Sequence, residues 1–346
     1  LYLENPAAGD LTGEGTKAVI VEGTPLRALH GAARARTFLD AGITTVRDLG
    51  NSGRFGDVAL RSAINDGSVP GPRMFVSGPG LSPVGGQFPG VIPDQQRIID
   101  DEYRIVRDPA DAANAVRENV TFGADVIKIY SNNTPNRGSL SLEEMQAIVA
   151  SAKRLGVSVA AHATSDDAVW RAAQAGVTSI EHAYQVADST LGLMAKNGVT
   201  LVATDLDSLS FVKYSAIVSE RGRPGPTAAQ IGQFLTPQRE RLRRAVNAGV
   251  MIANGSDNYI DMRMPQGAAA RRNLFAYSQA GLPNAQVLQA ATTWAARLIG
   301  PRARAGSIKV GNYADIIAVS GDPLADIGAV EQVRFVMANG KVWKSP

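Results

Sequence analysis

Five polar residues of this sequence stand where short apolar runs stop: Asp48, Lys128, His162, His182 and Asp257. Their types suit two chemistries. Imidazole and carboxylate are the usual protein ligands of zinc, and water activated by a metal is a good nucleophile at neutral pH. Lys128 sits inside the run Val126-Ile127-Lys128-Ile129-Tyr130, where burial disfavours the charged ammonium and lowers its pKa. A neutral amine there either attacks a carbonyl to give a Schiff base or takes up carbon dioxide to become a carbamate. Histidines nearby favour the carbamate, because it can bridge metals as a carboxylate would.

The chain has three histidines, and two of them end successive apolar runs. A single histidine in such a place is more often structural, but two neighbours with an aspartate in the same layer reverse that balance. His30, beside Leu26 and Leu29 in a helical stretch, reads as structural or surface. Asp257 also has the setting of a helix cap, and Asp48 reads as an ion-pair partner of Arg47 or of a neighbouring loop. Tyr130, Arg137 and Arg263 lie just beyond run ends, within reach of a substrate carboxylate, although a solvated loop charge is the commoner role for such arginines.

What positions these residues is a repeating unit. A helical stretch ends at a glycine, a β-branched apolar run comes next, and the run stops at a polar residue. Gly42, Gly71, Gly123, Gly156, Gly176, Gly198 and Gly249 open seven such runs. Glycine marks the helix end and the run reads as a buried parallel strand. Helices fill the intervals: Thr24-Pro25 opens one, and Ser141 with Glu144 forms a capping box on another that Gly156 closes. Strands alternating with helices predict a parallel sheet with right-handed crossovers. Seven units predict a (β/α)8 TIM barrel with its first strand outside this chain, in preference to a doubly wound sheet. In a barrel the five residues would all meet at the C-terminal mouth. Two long Gly- and Pro-rich connections, 78–109 and 205–236, would overhang that mouth, as functional lids or as disordered segments.

After residue 303 the texture changes. Ser307–Val319 and Val333–Trp343 read as strands, the second turning at an Asn339-Gly340 hairpin. The division is therefore a barrel over 1–303 and, over 304–346, the C-terminal strands of a small β-sandwich too short to bury a core of its own.

Composition narrows the class. With 346 residues and 45% hydrophobic content, the chain has material for a large core. A net charge of +3 with scattered Lys and Arg argues against nucleic acid, and no apolar run is long enough for a membrane helix. The absence of cysteine excludes disulfides, thiolate metal sites and a thiol nucleophile. It also fits an extracytoplasmic enzyme without establishing one, and oligomeric state, including self-association, stays open.

The motifs resemble those of the amidohydrolase superfamily, in particular its imidazolonepropionase-like and Xaa-dipeptidase branch. The matching stretches are Gly42-Ile43-Thr44-Thr45-Val46-Arg47-Asp48, Gly123 to Lys128, Val159-Ala160-Ala161-His162-Ala163, Ser179-Ile180-Glu181-His182, Gly255-Ser256-Asp257, Ala290 to Ala296, Gly306 to Gly311 and Ala314 to Ile317. The resemblance implies hydrolysis of amide bonds in small peptides, N-acyl amino acids or cyclic amides with one or two zinc ions or other divalent metals. Lys128 would be the carboxylated bridging lysine, His162 and His182 would bind one metal, and Asp257 would bind the other and act as general base. One departure is large: the family's His-x-His pair at the end of the first strand is not in this chain. The expectation is that an N-terminal piece bearing it is absent from this chain, by processing, by truncation or as a separate segment that supplies it, since Leu1-Tyr2-Leu3 resembles the stretch that normally comes directly after that pair. A smaller departure is Gln87, where relatives often have histidine. A Schiff-base lyase or aldolase working through Lys128, and a non-catalytic barrel subunit, are the rival readings.

Overall fold

The fold is read from a computed structural model that describes residues 19, 21–50, 53–87, 92–133, 137–219, 226–258 and 261–346. Nine strands belong to its parallel framework: β1 (Thr45–Asp48), β2 (Arg73–Val76), β3 (Gly80–Ser82), β4 (Tyr103–Ile105), β5 (Val126–Tyr130), β6 (Ser158–Ala163), β7 (Ser179–His182), β8 (Thr200–Val202) and β9 (Ile252–Ala253). β1 pairs with β2, and the rest form one sheet in the order β4-β3-β5-β6-β7-β8-β9. Every pairing is parallel. This is the mixed α/β architecture of a (β/α)8 barrel. Among the described residues, no strand pairs with the outer edge of β1 or of β9, so a seam is open between the first and last staves.

Seven of these strands are the seven runs expected from the glycine-led repeat. β3 and β4 were not expected. They are three residues each and lie in the Gly- and Pro-rich connection 78–109, whose described residues also hold a helix, Gln96–Glu102. The second long connection likewise carries two helices, Ser208–Ser219 and Ala228–Asn247. Thr227 and Gln230 form a capping box at the start of the longer one.

Helices return the chain between strands. The first, α1 (Thr24–Asp40), has Pro25 in its opening turn, where the missing N–H costs nothing. Thr24 is itself helical, with Gly23 as the capping position. Leu142–Arg154 opens on the predicted Ser141–Glu144 capping box. The helices bury Val116, Met145, Ile148, Val169, Leu191 and Leu242 against the outward-facing Ile127, Ile129, Val159, Ile180 and Leu201 of the strands. The short helix α2 (Gln266–Arg271) crosses α1 so closely that a methyl group on Gly267 would lie 2.1 Å from the Thr37 carbonyl oxygen.

The tail forms an antiparallel sheet of β10 (Ile316–Val319), β11 (Val333–Ala338) and β12 (Lys341–Lys344). Asn339 and Gly340 make the expected hairpin, both with positive φ, 51° and 75°. Residues 307–315 are not strand, contrary to expectation. Gly311 turns the chain at φ 93°, and the Asn312 side chain ties back to Ser307. Ile308 and Val310 are left 83% and 102% exposed.

The tail grips the barrel at its floor, the N-terminal end of the strands. The Asp315 carboxylate accepts from Thr45 at the start of β1 and pairs with Arg73 at the start of β2. It also accepts the Asn339 amide of the hairpin, while the Arg73 guanidinium stacks 3.4 Å above the Tyr313 ring. Beside it, Asp125 accepts from Arg61, from Arg302 and from the Val76 amide. No helix of the described residues is long and apolar enough to cross a membrane.

Candidate active site

The pairing register sets the site. β5 and β6 align Tyr130 with His162, and β6 and β7 align Ala163 with His182. Alternation along β5 sends Ile127 and Ile129 toward the helices and Lys128 and Tyr130 into the barrel. Lys128 is 5% exposed. The same alternation points Glu181 inward and would turn His182 away. His182 faces inward all the same, because its backbone is left-handed, with φ 78°, followed by Ala183 at 49°. Non-glycine residues seldom adopt this conformation, and it collects at functional sites. Thr204 and Asp257, beyond β8 and β9, share it at φ 57° and 45°.

These elements enclose a cavity of about 210 Å³, lined by Lys128, Glu181, His182, Thr204 and Asp257 near the mouth and by Val46, Ala253, Leu298 and Phe38 below. It runs along the open seam between β1 and β9. His162 adjoins it through the His182 ring, 4.7 Å away between centroids and edge-on. Tyr130 packs on the far side of His162 at 5.5 Å. Its hydroxyl lies 2.4 Å from where a methyl on Gly50 would stand, so glycine at position 50 is what admits the ring.

Burial sets the protonation states. It lowers the Lys128 pKa, assisted by Arg47 and opposed by Glu181 and Asp257. Burial, with Lys128 nearby, pushes His162 down to about 3. Burial, His162, Lys128 and Arg241 hold His182 well below the usual imidazole range. Both rings are therefore neutral, the state in which imidazole binds metal. Asp257 opens onto the cavity, yet the walls desolvate its carboxyl and, with Glu181, raise it to about 6 against the pull of Lys128.

Around these groups lie residues whose partners sequence reasoning misread or missed. Arg47 does not pair with Asp48. It crosses the barrel to Glu181 at 2.9 Å and Ser179 at 3.1 Å. Asp48 is buried on the cavity wall, close enough to raise the pKa of Asp57. The Gln87 amide nitrogen stands 3.4 Å from His162 Nε2. Thr204 and Tyr184 approach His182 Nδ1 at 2.8 and 3.4 Å. Arg241, 2% exposed, hydrogen-bonds the His182 carbonyl and pairs with Asp205. Thr204 was visible as the polar stop of its run, but Arg241 comes from a helix 59 residues beyond His182 and left no local signal. His30 is a surface residue beside Glu22 at 3.6 Å. Arg137 and Arg263 are exposed on connections that come after β5 and β9, and neither lines the cavity.

A metal is tested by the donors present. Two neutral imidazoles side by side, with an amine and a carboxyl beside them in a cavity open to solvent, suit a catalytic metal that needs an accessible position. Among the described residues, no three His, Asp or Glu side chains converge on one point. The fit therefore rests on the two imidazoles and on Lys128 as a carbamate.

Comparison with known proteins finds hydrolases of similar sequence and fold. Residues 28–343 match the model of the Amidohydrolase family. The chain is 29% identical to an ochratoxinase of Aspergillus niger over 353 residues, covering 92% of this chain and 70% of that one. It superposes with a TM-score of 0.79 at 29% identity on the crystal structure of a Xaa-Pro dipeptidase with methionine bound in the active site, covering 93% of this chain and 80% of that one. A prolidase complexed with N-methylphosphonate-L-proline gives a TM-score of 0.80 at 28% identity, over 96% of this chain and 83% of that one.

Proposed function

Because the chain belongs to the amidohydrolase family, we propose that it is a metal-dependent hydrolase that cleaves the amide bond of a small peptide-like, N-acyl amino acid or cyclic amide substrate. The observation that carries the reading is the meeting of two neutral imidazoles, His162 and His182, with Lys128 and Asp257 at one end of a barrel. The likeness to an ochratoxinase and to Xaa-Pro dipeptidase and prolidase structures supports amide hydrolysis.

The proposed metal is zinc, one ion or two, and other divalent ions suit the same donors. Bound there, it would lower the pKa of water and polarise the scissile carbonyl. His162 and His182 would hold it through ring nitrogens. Lys128, its ammonium disfavoured by burial, would join them after adding carbon dioxide. Asp257, mostly ionised above about pH 6, would take the proton of the attacking water and hand it to the departing amine nitrogen. Tyr130 walls the His162 side, and Arg137 and Arg263 on the mouth connections are the groups proposed to meet a substrate carboxylate.

The seam bears on completeness. We propose that the remaining ligands, a His-x-His pair, arrive on an extended segment lying between β1 and β9, whose facing edges both offer backbone hydrogen bonds. The test is elemental analysis of the purified protein, with turnover of dipeptides and N-acyl amino acids before and after chelation. Zinc in stoichiometric amount, activity lost to chelator and regained with zinc, and a kcat lower by about 10²–10⁴ in Asp257→Asn are expected. Full activity in metal-free protein, or a carbonyl substrate trapped on Lys128 by borohydride, would replace the reading with Schiff-base chemistry.

A further inference from the structure

His182 carries an obligation that its partners must meet. A neutral imidazole holds one proton, on Nδ1 or on Nε2, and only the bare nitrogen can accept a metal. The Thr204 hydroxyl lies 2.8 Å from His182 Nδ1 and 2.7 Å from the Ala203 carbonyl oxygen. A hydroxyl has one proton to give. The Ala203 carbonyl cannot donate, so the short contact to it takes the Thr204 proton. What remains toward His182 is a lone pair, which requires a proton on Nδ1. The Tyr184 hydroxyl is 3.4 Å from Nδ1 and 3.5 Å from Thr204, too long to compete well.

The frame around this contact is rigid. Thr204 and His182 both sit in left-handed backbone, where each added rotation is costly. Arg241 bonds the His182 carbonyl, reaches the Ala203 carbonyl at 3.5 Å and is pinned by Asp205. Its guanidinium lies 5.4 Å from the Tyr184 ring. One buried cation thus fixes the backbone on both sides of the Thr204–His182 contact.

We infer that Thr204 is a positioning residue that locks His182 as the Nδ1–H tautomer, leaving Nε2 bare for a ligand, with Arg241 holding the two backbones in register. The tautomer assignment stands on the hydrogen-bond geometry alone, whereas its consequence for zinc rests on the metal-dependent reading above. A metal-ligating imidazole is oriented through its other nitrogen, and losing such a partner weakens metal affinity about 10–100-fold.

The experiment uses the full chain labelled with ¹⁵N-histidine. The three histidines give few enough ring signals for long-range ¹H–¹⁵N correlation to read each tautomer in the metal-free protein, and His30→Gln removes one of them. Zinc affinity is measured in parallel by chelator competition on the wild type, Thr204→Val and Thr204→Ser. The inference expects one buried imidazole of the wild type in the Nδ1–H form, and the same form with near-normal zinc affinity in Thr204→Ser. Thr204→Val should shift that ring toward Nε2–H and weaken zinc about 10–100-fold. Neither buried imidazole of the wild type in the Nδ1–H form overturns the inference even if Thr204→Val fails to fold. So does a Thr204→Val protein whose tautomers and affinity are unchanged. A wild type with the expected tautomer that binds no zinc supports the inference and refutes the metal reading, so the two fail separately.

Discussion

Asp57 is an acid whose proton the fold holds up to about pH 7. It sits in the first turn of helix Gly56–Asn65, fully buried, accepting the backbone amides of Val58 and Gly78 at 2.8 Å each. Those bonds and Arg61 favour the carboxylate, but burial and the nearby Asp48 outweigh them and raise its pKa from 3.8 to about 7. Between these values the folded protein binds a proton that the unfolded chain has released. Stability therefore falls as pH rises through this window and is level above it. At about 1.4 kcal/mol per pH unit, the fall attributable to Asp57 is about 4 kcal/mol. Asp57→Asn carries no titrating proton and lacks this term. It loses one of the two accepted amides, at about 1–3 kcal/mol, and so is the less stable protein near pH 4. By pH 7.5 the order reverses, and the variant becomes the more stable by about 1–3 kcal/mol. Urea unfolding of both proteins at half-unit pH intervals, extrapolated to water, gives the difference directly and cancels the other titrating groups. A difference that stays constant from pH 4 to 7.5 would refute the reasoning.

Three further outcomes are expected. Arg47→Met leaves the Glu181 carboxylate buried without its partner and costs about 3–5 kcal/mol; adding Glu181→Gln recovers a good part of it, and a double-mutant cycle by denaturant titration that shows simple additivity would disprove the pairing argument. Tyr277→Phe removes a hydroxyl that donates to the Ala253 carbonyl at 2.9 Å and accepts from the Ala203 amide, so unfolding free energy should drop by about 1–2 kcal/mol. Gly267→Ala drives a methyl into the backbone of α1 and should cost about 3 kcal/mol or more; a variant with unchanged melting temperature would show that the crossing of α1 and α2 yields freely.

The strands that carry the candidate site were legible because buried parallel strands are short, β-branched and fenced by glycine, and the runs opened by Gly123, Gly156 and Gly176 reach Lys128, His162 and His182. Lys128, His162 and His182 needed no tertiary information. β3 and β4 were hidden since Gly80-Leu81-Ser82 has no strand composition, and only pairing with β4 and β5 makes it one. Period-two alternation would have turned His182 outward, and the left-handed backbone that returns it is invisible in residue type. Arg47 was misassigned because a neighbour in sequence is the easy partner, while Glu181 lies 134 residues away. The stretch 307–315 has apolar residues at strand spacing, but Gly311 turns the chain and leaves Ile308 and Val310 facing water.

The floor contacts have a consequence for how such a molecule can change. Asp315 fastens the tail to the starts of β1 and β2, at the end of the barrel away from Asp257 and the histidines. Loops at the mouth bear none of that load. A lineage built on this plan can lengthen, trim or rewrite them to meet a new substrate while the clamp on the opposite face keeps the staves aligned, so novelty at one end and durability at the other are inherited as separate traits.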